Sequence, residues 1–225
     1  MKLSIVTPVL DSHEVVRRQM LHYNRMSLPD SVEVIYVDDG SEPPLEGQGR
    51  VTVIATHDKR RWTEHLARNR GAARAQGEYL LMADVDYIIP EETIQVILEF
   101  DGARMDFNRK FGILDKDGQL RRDRKTLSEW GLLPKWQRRK TPNHRSQYVM
   151  RKSVFEEIGG YIEDRWGKAH PNGGGAGQEF FHAWQRLKLP LAEQRPFIFM
   201  FPNGKYCGER DYNPFDIFHA LDREP

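Results

Sequence analysis

The chain opens on Leu3 to Val9, a β-branched run of strand length. Val15, Val16, Met20 and Tyr23 then fall roughly on one helical face, with Asp11 or Ser12 where an N-cap belongs. Strand patterns return at Val32 to Val37 and at Val51 to Ala55. Trp62 to Ala75, rich in Arg and Ala, predicts a second helix, and the fully apolar Tyr79 to Ala83 predicts a fourth strand. Pro90 sits where a first helical turn begins. Glu91 and Glu92 stand beside its positive end, and Ile94, Ile97 and Leu98 supply the buried stripe. Strands alternating with helices predict an α/β layered fold with a largely parallel sheet.

Beyond residue 100 the pattern loosens. Phe111 to Leu114 predicts a strand, and Asp115-Lys116-Asp117-Gly118 a plain turn, because the rest of a calcium-loop pattern is missing. Residues 121–145 are basic and poorly periodic, with only Asp123 and Glu129 set against Arg121, Arg122, Arg124, Lys125, Lys135, Arg138, Arg139, Lys140 and Arg145. Their simplest reading is a solvated surface. Ser153 to Ile158 predicts a helix, Gly173 to Gly177 a loop leading into a helix near Glu179 to Leu187, and Pro196 to Phe201 a late strand.

Composition narrows this picture in three ways. A chain of 225 residues suits one domain with a substantial core better than two small ones. A net charge of +1 gives no global call for nucleic acid or an anionic membrane. The single cysteine, Cys207, makes no internal disulfide and no zinc pair, which fits a reducing, cytoplasmic setting. The apolar N-terminal stretch is too short for a signal peptide, and no run approaches the roughly 18 apolar residues that span a bilayer. Peripheral membrane contact stays open.

The chemistry gathers at strand ends. The first strand ends at Thr7-Pro8, the second at Asp38-Asp39-Gly40-Ser41 and the fourth at Asp84-Val85-Asp86. In a parallel sheet these ends share one edge, where open α/β sheets bind ligands. Four clustered carboxylates repel one another unless a cation or hydrogen-bond donors sit among them. Hard divalent ions such as Mg²⁺ and Mn²⁺ take oxygen ligands and often keep a phosphate in their shell, which suits a diphosphate leaving group. The alternative is that these aspartates are turn and capping residues.

Ser4-Ile5-Val6-Thr7-Pro8-Val9-Leu10, Val34-Ile35-Tyr36-Val37-Asp38-Asp39-Gly40-Ser41 and Ala67-Arg68-Asn69-Arg70-Gly71, continuing to Gly77-Glu78-Tyr79-Leu80-Leu81-Met82-Ala83-Asp84-Val85-Asp86, together resemble the family 2 glycosyltransferases over residues 3 to 90. The resemblance implies a GT-A fold: a Rossmann-like, mostly parallel mixed sheet flanked by helices, in a single domain. Residues 1–90 would be the nucleotide-sugar-binding half and 91–225 the acceptor half. It places Thr7, Pro8, Asp38, Asp39, Arg68, Asn69, Asp84 and Val85 on the donor, for which a UDP-sugar is the expectation because UDP is the family's commonest nucleotide, and Asp86 with Asp84 at a Mn²⁺ or Mg²⁺ ion.

Gln147 to Lys152 and Phe155 to Tyr161 resemble the stretch before the acceptor site in galactosyltransferase-like members. Those members carry a Glu-Asp pair opening a helix. Here it is Gln178-Glu179, so Glu179 is the expected general base, with Glu163 and Asp164 as rivals. The reaction implied is a single displacement with inversion, in which one carboxylate removes the proton of a carbohydrate or other hydroxyl acceptor. His219 or His182 either supplies a further metal ligand, as a His near the C-terminus does in some relatives, or is an ordinary histidine with no part in the site. Tyr161, Trp166 and Trp184 either stack on an acceptor sugar or belong to the core, and the basic stretch either stays solvated, closes over the diphosphate or meets an anionic acceptor. Two other readings stand beside this one. A metal-dependent nucleotidyltransferase lacks its Gly-rich basic loop here, and a non-catalytic carbohydrate- or nucleic-acid-binding module leaves the acidic strand ends unexplained.

Overall fold

The computed structural model describes residues 1–58, 63–129, 146–163 and 176–201. Asp164, Trp166, His219, Cys207, Trp62, the loop 173–175 and the basic residues from Lys135 to Arg145 lie outside them. The elements run in the order β1 (Leu3–Val9), α1 (His13–Arg25), β2 (Val32–Asp38), β3 (Val51–Ala55), α2 (Glu64–Arg74), β4 (Tyr79–Met82), β5 (Tyr87–Ile88), α3 (Glu91–Leu98) and β6 (Arg104–Asp106). They continue with β7 (Asn108–Phe111), β8 (Ile113–Leu114), β9 (Leu120–Arg121), α4 (Arg124–Glu129), β10 (Tyr148–Arg151), α5 (Lys152–Ile158), α6 (Ala176–Leu187) and β11 (Phe197–Met200).

A six-stranded sheet in the order β3-β2-β1-β4-β10-β6 forms the centre. β1 pairs in parallel with β2 on one side and β4 on the other, while β10 runs antiparallel to both β4 and β6. The sheet is therefore mixed, with a parallel half that carries the expected strands. Strand alternation divides its residues between two apolar layers. Leu3, Ile5, Val34 and Tyr36 pack with Val15, Val16, Met20 and Tyr23 of α1. Val6, Ile35, Val37, Leu80 and Met82 pack with Ala67 and Ala72 of α2 and with Phe180 and Trp184 of α6. A smaller sheet, β5-β11-β7, joins this body just beyond β4.

Several boundaries differ from expectation for local reasons. Phe111 to Leu114 is two strands, because Phe111 pairs with Met200 in the small sheet while Ile113 and Leu114 pair with β9. Pro90 is the N-cap of α3, its carbonyl accepting the Thr93 and Ile94 N–H groups. Ser12 does cap α1 in position, but its hydroxyl donates back to the Leu10 carbonyl at 2.8 Å. No helix among the described residues is long and apolar enough to cross a membrane.

Candidate active site

Because β1, β2 and β4 are parallel, their C-terminal ends share one edge. The loops that leave them are laced together. The Asp11 N–H donates to the Ser41 hydroxyl at 3.0 Å, and the Glu42 N–H donates to the Asp11 carboxylate at 2.9 Å. Asp38 organises this turn: its carboxylate accepts N–H groups from Gly40, Ser41 and Leu45 at 3.2, 2.8 and 2.9 Å. Burial pushes its pKa up, but these donors outweigh burial and hold it below the ordinary value. Asp38 thus spends its oxygens on the loop.

Asp39 faces the other way. Its carboxylate accepts the Thr63 N–H and the Thr56 hydroxyl, each at 3.1 Å, and also the Thr63 hydroxyl. Thr63 is the N-cap of α2, so Asp39 places negative charge at that helix's positive end. Burial is the dominant effect on its pKa and raises it.

Arg68, only 1% exposed, projects from α2 beneath the end of β4. Its guanidinium donates to Glu64 at 2.9 Å, to the Ser146 carbonyl at 3.2 Å and to Asp84. Burial opposes its charge, but Asp84 foremost, then Tyr161 and Glu64, raise its pKa. Gln147 donates to the second oxygen of Asp84. Behind the acidic turn, Gln19 of α1 donates to the carbonyls of Val85 and Tyr87 at 2.8 and 2.9 Å and accepts the Tyr36 hydroxyl at 2.6 Å. This fixes the backbone through Asp86. The Asp86 carboxyl is pushed up to about 7, first by burial and then by Asp84, with Arg109 on β7 working in the opposite direction.

Pro8, Val9, Asp39, Glu64, Asp84 and Val85 line a cavity of about 200 Å³ at this edge. Thr7 lies buried within β1 just behind it. Asn69 points elsewhere: its side chain bonds the Tyr161 backbone and the Glu163 carboxylate. Glu179 lies on the first turn of α6 and lines a separate depression of about 330 Å³ with Gly160, Ile162, His182 and Arg186. Tyr161 and Trp184 are core residues: Tyr161 stacks on Phe180 at 4.3 Å, and the Arg104 guanidinium lies 5.4 Å from the Trp184 ring.

The family model described as glycosyl transferase family 2 matches residues 4–159, well over half the chain. The chain belongs to that family. The fold agrees. The crystal structure of S. aureus TarS residues 1–349 superposes over 89% of this chain and 60% of its own length, at 15% identity and a TM-score of 0.58. The complex of that fragment with UDP-GlcNAc superposes over 98% of this chain and 64% of its own, at 14% identity and a TM-score of 0.60. The longer S. aureus TarS structure gives 89%, 37%, 14% and 0.61 in the same terms. This chain therefore spans about 60% of the TarS fragment it matches, and the likeness shows a shared GT-A fold. A search of curated proteins finds no match.

For this family 2 chain, a hard divalent cation at Asp86 fits the donor set. The group is an oxygen ligand, and burial together with Asp84 leaves it short of positive charge. Among the described residues no three His, Cys, Asp or Glu side chains gather to hold a metal ion. His182 lines the depression beside Glu179, not the cavity beside Asp84. Sequence reasoning passed over Glu64, Thr63 and Gln147. The Glu64–Arg68 spacing of four on a helix was a readable signal for the first. Gln147 contacts Asp84 across 63 residues of chain, which no local pattern encodes.

Proposed function

We propose that the protein is an inverting glycosyltransferase that moves a sugar from a nucleoside-diphosphate donor, a UDP-sugar in the first instance, to a hydroxyl acceptor. The observation that carries this reading is the convergence of Asp39, Glu64 and Asp84 on one cavity at the carboxyl ends of β1, β2 and β4, in a chain of this family. The complexes of TarS with UDP and with UDP-GlcNAc support a uridine donor by analogy of fold.

In this reading Pro8 and Val9 border the base and Asp39 accepts from the base or ribose. Asp84, held by Arg68 and Gln147, receives ribose or sugar hydroxyls. Asp86 would hold a Mn²⁺ or Mg²⁺ ion. Such an ion, when bound, neutralises charge that grows on the departing diphosphate. A carboxylate takes the acceptor hydroxyl proton as that oxygen attacks the anomeric carbon. The sugar–phosphate bond breaks on the opposite face, and its electron pair leaves with the nucleoside diphosphate. We assign the base to Glu179, a half-buried residue on the first turn of α6. Glu163 is the second reading, favoured by its 2.7 Å bond from Asn69, the neighbour of Arg68.

A thermal-shift panel of UDP, GDP and their sugars, with and without Mn²⁺, tests the donor half. A ligand at about 100 times its Kd stabilises the fold by roughly 2.7 kcal/mol. UDP with Mn²⁺ is expected to raise the Tm, and Asp86→Ala to remove the metal-dependent part. An unchanged response in Asp86→Ala would sink the metal assignment. Glu179→Gln is expected to keep donor binding and lose transfer. Near-normal turnover there, with loss in Glu163→Gln, moves the base to Glu163.

A further inference from the structure

β11 links the acidic turn to a second groove. The Phe201 N–H, just past β11, donates to the Asp86 carbonyl at 2.9 Å. Phe197 begins the strand four residues earlier, roughly 13 Å away at about 3.3 Å per residue. There α3, β7 and β11 enclose a groove of about 460 Å³, a volume within the range of ligand clefts. Its apolar surface is aromatic: Phe199 is buried, while Phe197 is 42% exposed.

The rim is cationic. Lys110 Nζ stands 3.8 Å from the Phe197 ring centroid, and the Arg122 guanidinium 5.4 Å from that of Phe199. Arg195 lines the same groove. Arg122 also pairs with Glu92, the one carboxylate among the described residues that line the groove. Three cations against one anion leave the groove net positive. Lysine stems flex, so Lys110 can give up the ring face to a ligand while its ammonium stays close.

A flat exposed ring beside cations suits a molecule with both an apolar face and acidic groups. Pyranose rings offer C–H faces for stacking, and acidic sugars add carboxylates or phosphates for Arg and Lys. Single-stranded nucleic acid fits less well, because it uses successive aromatic platforms along a basic track, and among the described residues of the groove only Phe197 is an exposed aromatic.

We propose that this groove binds an anionic carbohydrate chain, with a sugar ring on Phe197 and its acidic groups on Lys110, Arg122 and Arg195. The choice of a carbohydrate rests on the glycosyl-transfer reading; the charge and the stacking do not. The groove would then hold a part of the acceptor distant from the reacting hydroxyl.

The test is calorimetry on the whole chain at low salt without metal, using hexagalacturonate, its fully methyl-esterified form and a phosphorylated mannohexaose. One acidic hexamer is expected to bind, and which one binds names the acidic group. The neutral ester is expected to bind at least about tenfold more weakly, a difference of about 1.4 kcal/mol. Phe197→Leu and Lys110→Gln, both at exposed positions, are each expected to weaken the acidic hexamer by about tenfold. Binding of neither acidic hexamer overturns the proposal, as does equal binding of the ester or unchanged affinity in both variants. Release of nucleoside diphosphate from the donor by water, with no acceptor present, is expected at the parent level in both variants. Absence of that release in the parent protein strikes the glycosyl-transfer reading and leaves the binding result standing.

Discussion

Asn69 Nδ2 donates to Glu163 Oε1 at 2.7 Å, and the same side chain clasps the Tyr161 backbone through a donated bond of 2.8 Å and an accepted one of 2.9 Å. One residue earlier on the same helix, Arg68 holds Asp84. α2 thus ties the end of β4 to the segment that leads toward the candidate bases. Asn69→Ala is expected to leave donor affinity within about twofold and to lower turnover by about 10–100-fold, since misplacing a reacting group by about 1 Å costs that order. Calorimetry with UDP and a nucleoside-diphosphate release assay separate the two effects. A tenfold loss of donor affinity with unchanged turnover would return Asn69 to the donor pocket, as the family resemblance implies.

Arg68 is buried among Asp84, Glu64 and the Ser146 carbonyl, so removing it takes a buried cationic partner from Asp84, which keeps the Gln147 donor. Breaking a buried pair costs about 3–5 kcal/mol. Asp84 keeps 27% side-chain exposure, which places the expected cost of Arg68→Met near the lower end. At about 2–4 °C per kcal/mol in a chain of this size, the Tm is expected to fall by roughly 6–12 °C. Arg68→Lys is expected to recover less than half, because one ammonium cannot reproduce the fork that spans all three partners. Full recovery by lysine would reduce the role of Arg68 to charge alone.

The parts of the fold written in local pattern were legible. β1 and β3 have the bounds expected, because each is a β-branched run of strand length, β3 between Arg50 and Thr56 and β1 between Lys2 and the exposed Leu10. Tyr148–Arg151 was noticed only through resemblance. It is four residues long, and its antiparallel place between β4 and β6 depends on partners dozens of residues away. The acidic strand ends could be found by position, because a parallel sheet puts such ends on one edge. What each carboxylate does there could not. Asp38 and Asp39 are adjacent, yet one is spent on the Gly40–Leu45 loop and the other holds Thr63, the N-cap of α2. That division follows from where Leu45 and Thr63 return, which is a tertiary fact.

Gly71 tests how closely α2 packs on the parallel strands. A Cβ there would fall on a Val6 methyl and lie 3.0 Å from a Val37 methyl, both fully buried. Replacing a mid-helix glycine by alanine ordinarily gains about 1 kcal/mol. Overpacking a tight core costs about 1–3 kcal/mol. Packing is expected to prevail, so Gly71→Ala lowers stability by up to about 2 kcal/mol in denaturant unfolding. A gain would mean that the helix can lift off the sheet without penalty.

Asp86 makes the pH dependence of the metal-free protein a readout of the site. Its folded pKa is raised from 3.8 to about 7, chiefly by burial and by Asp84. The folded chain then binds more protons than the unfolded one between those values, so this group's stabilising contribution is present below about pH 4 and fades as pH rises through 7. Asp86→Asn removes the titrating charge and most of the cost of burying it. Metal-free Asp86→Asn is therefore expected to melt above the parent protein at pH 8, by about 2–4 °C for each kcal/mol gained, with the difference shrinking toward pH 4. Mn²⁺ with UDP should reverse the order at pH 8, because only the ionised carboxylate meets the cation. Parallel melting curves for the two proteins across the whole pH range would show that Asp86 ionises like any exposed aspartate and that no strained carboxylate waits for a cation there.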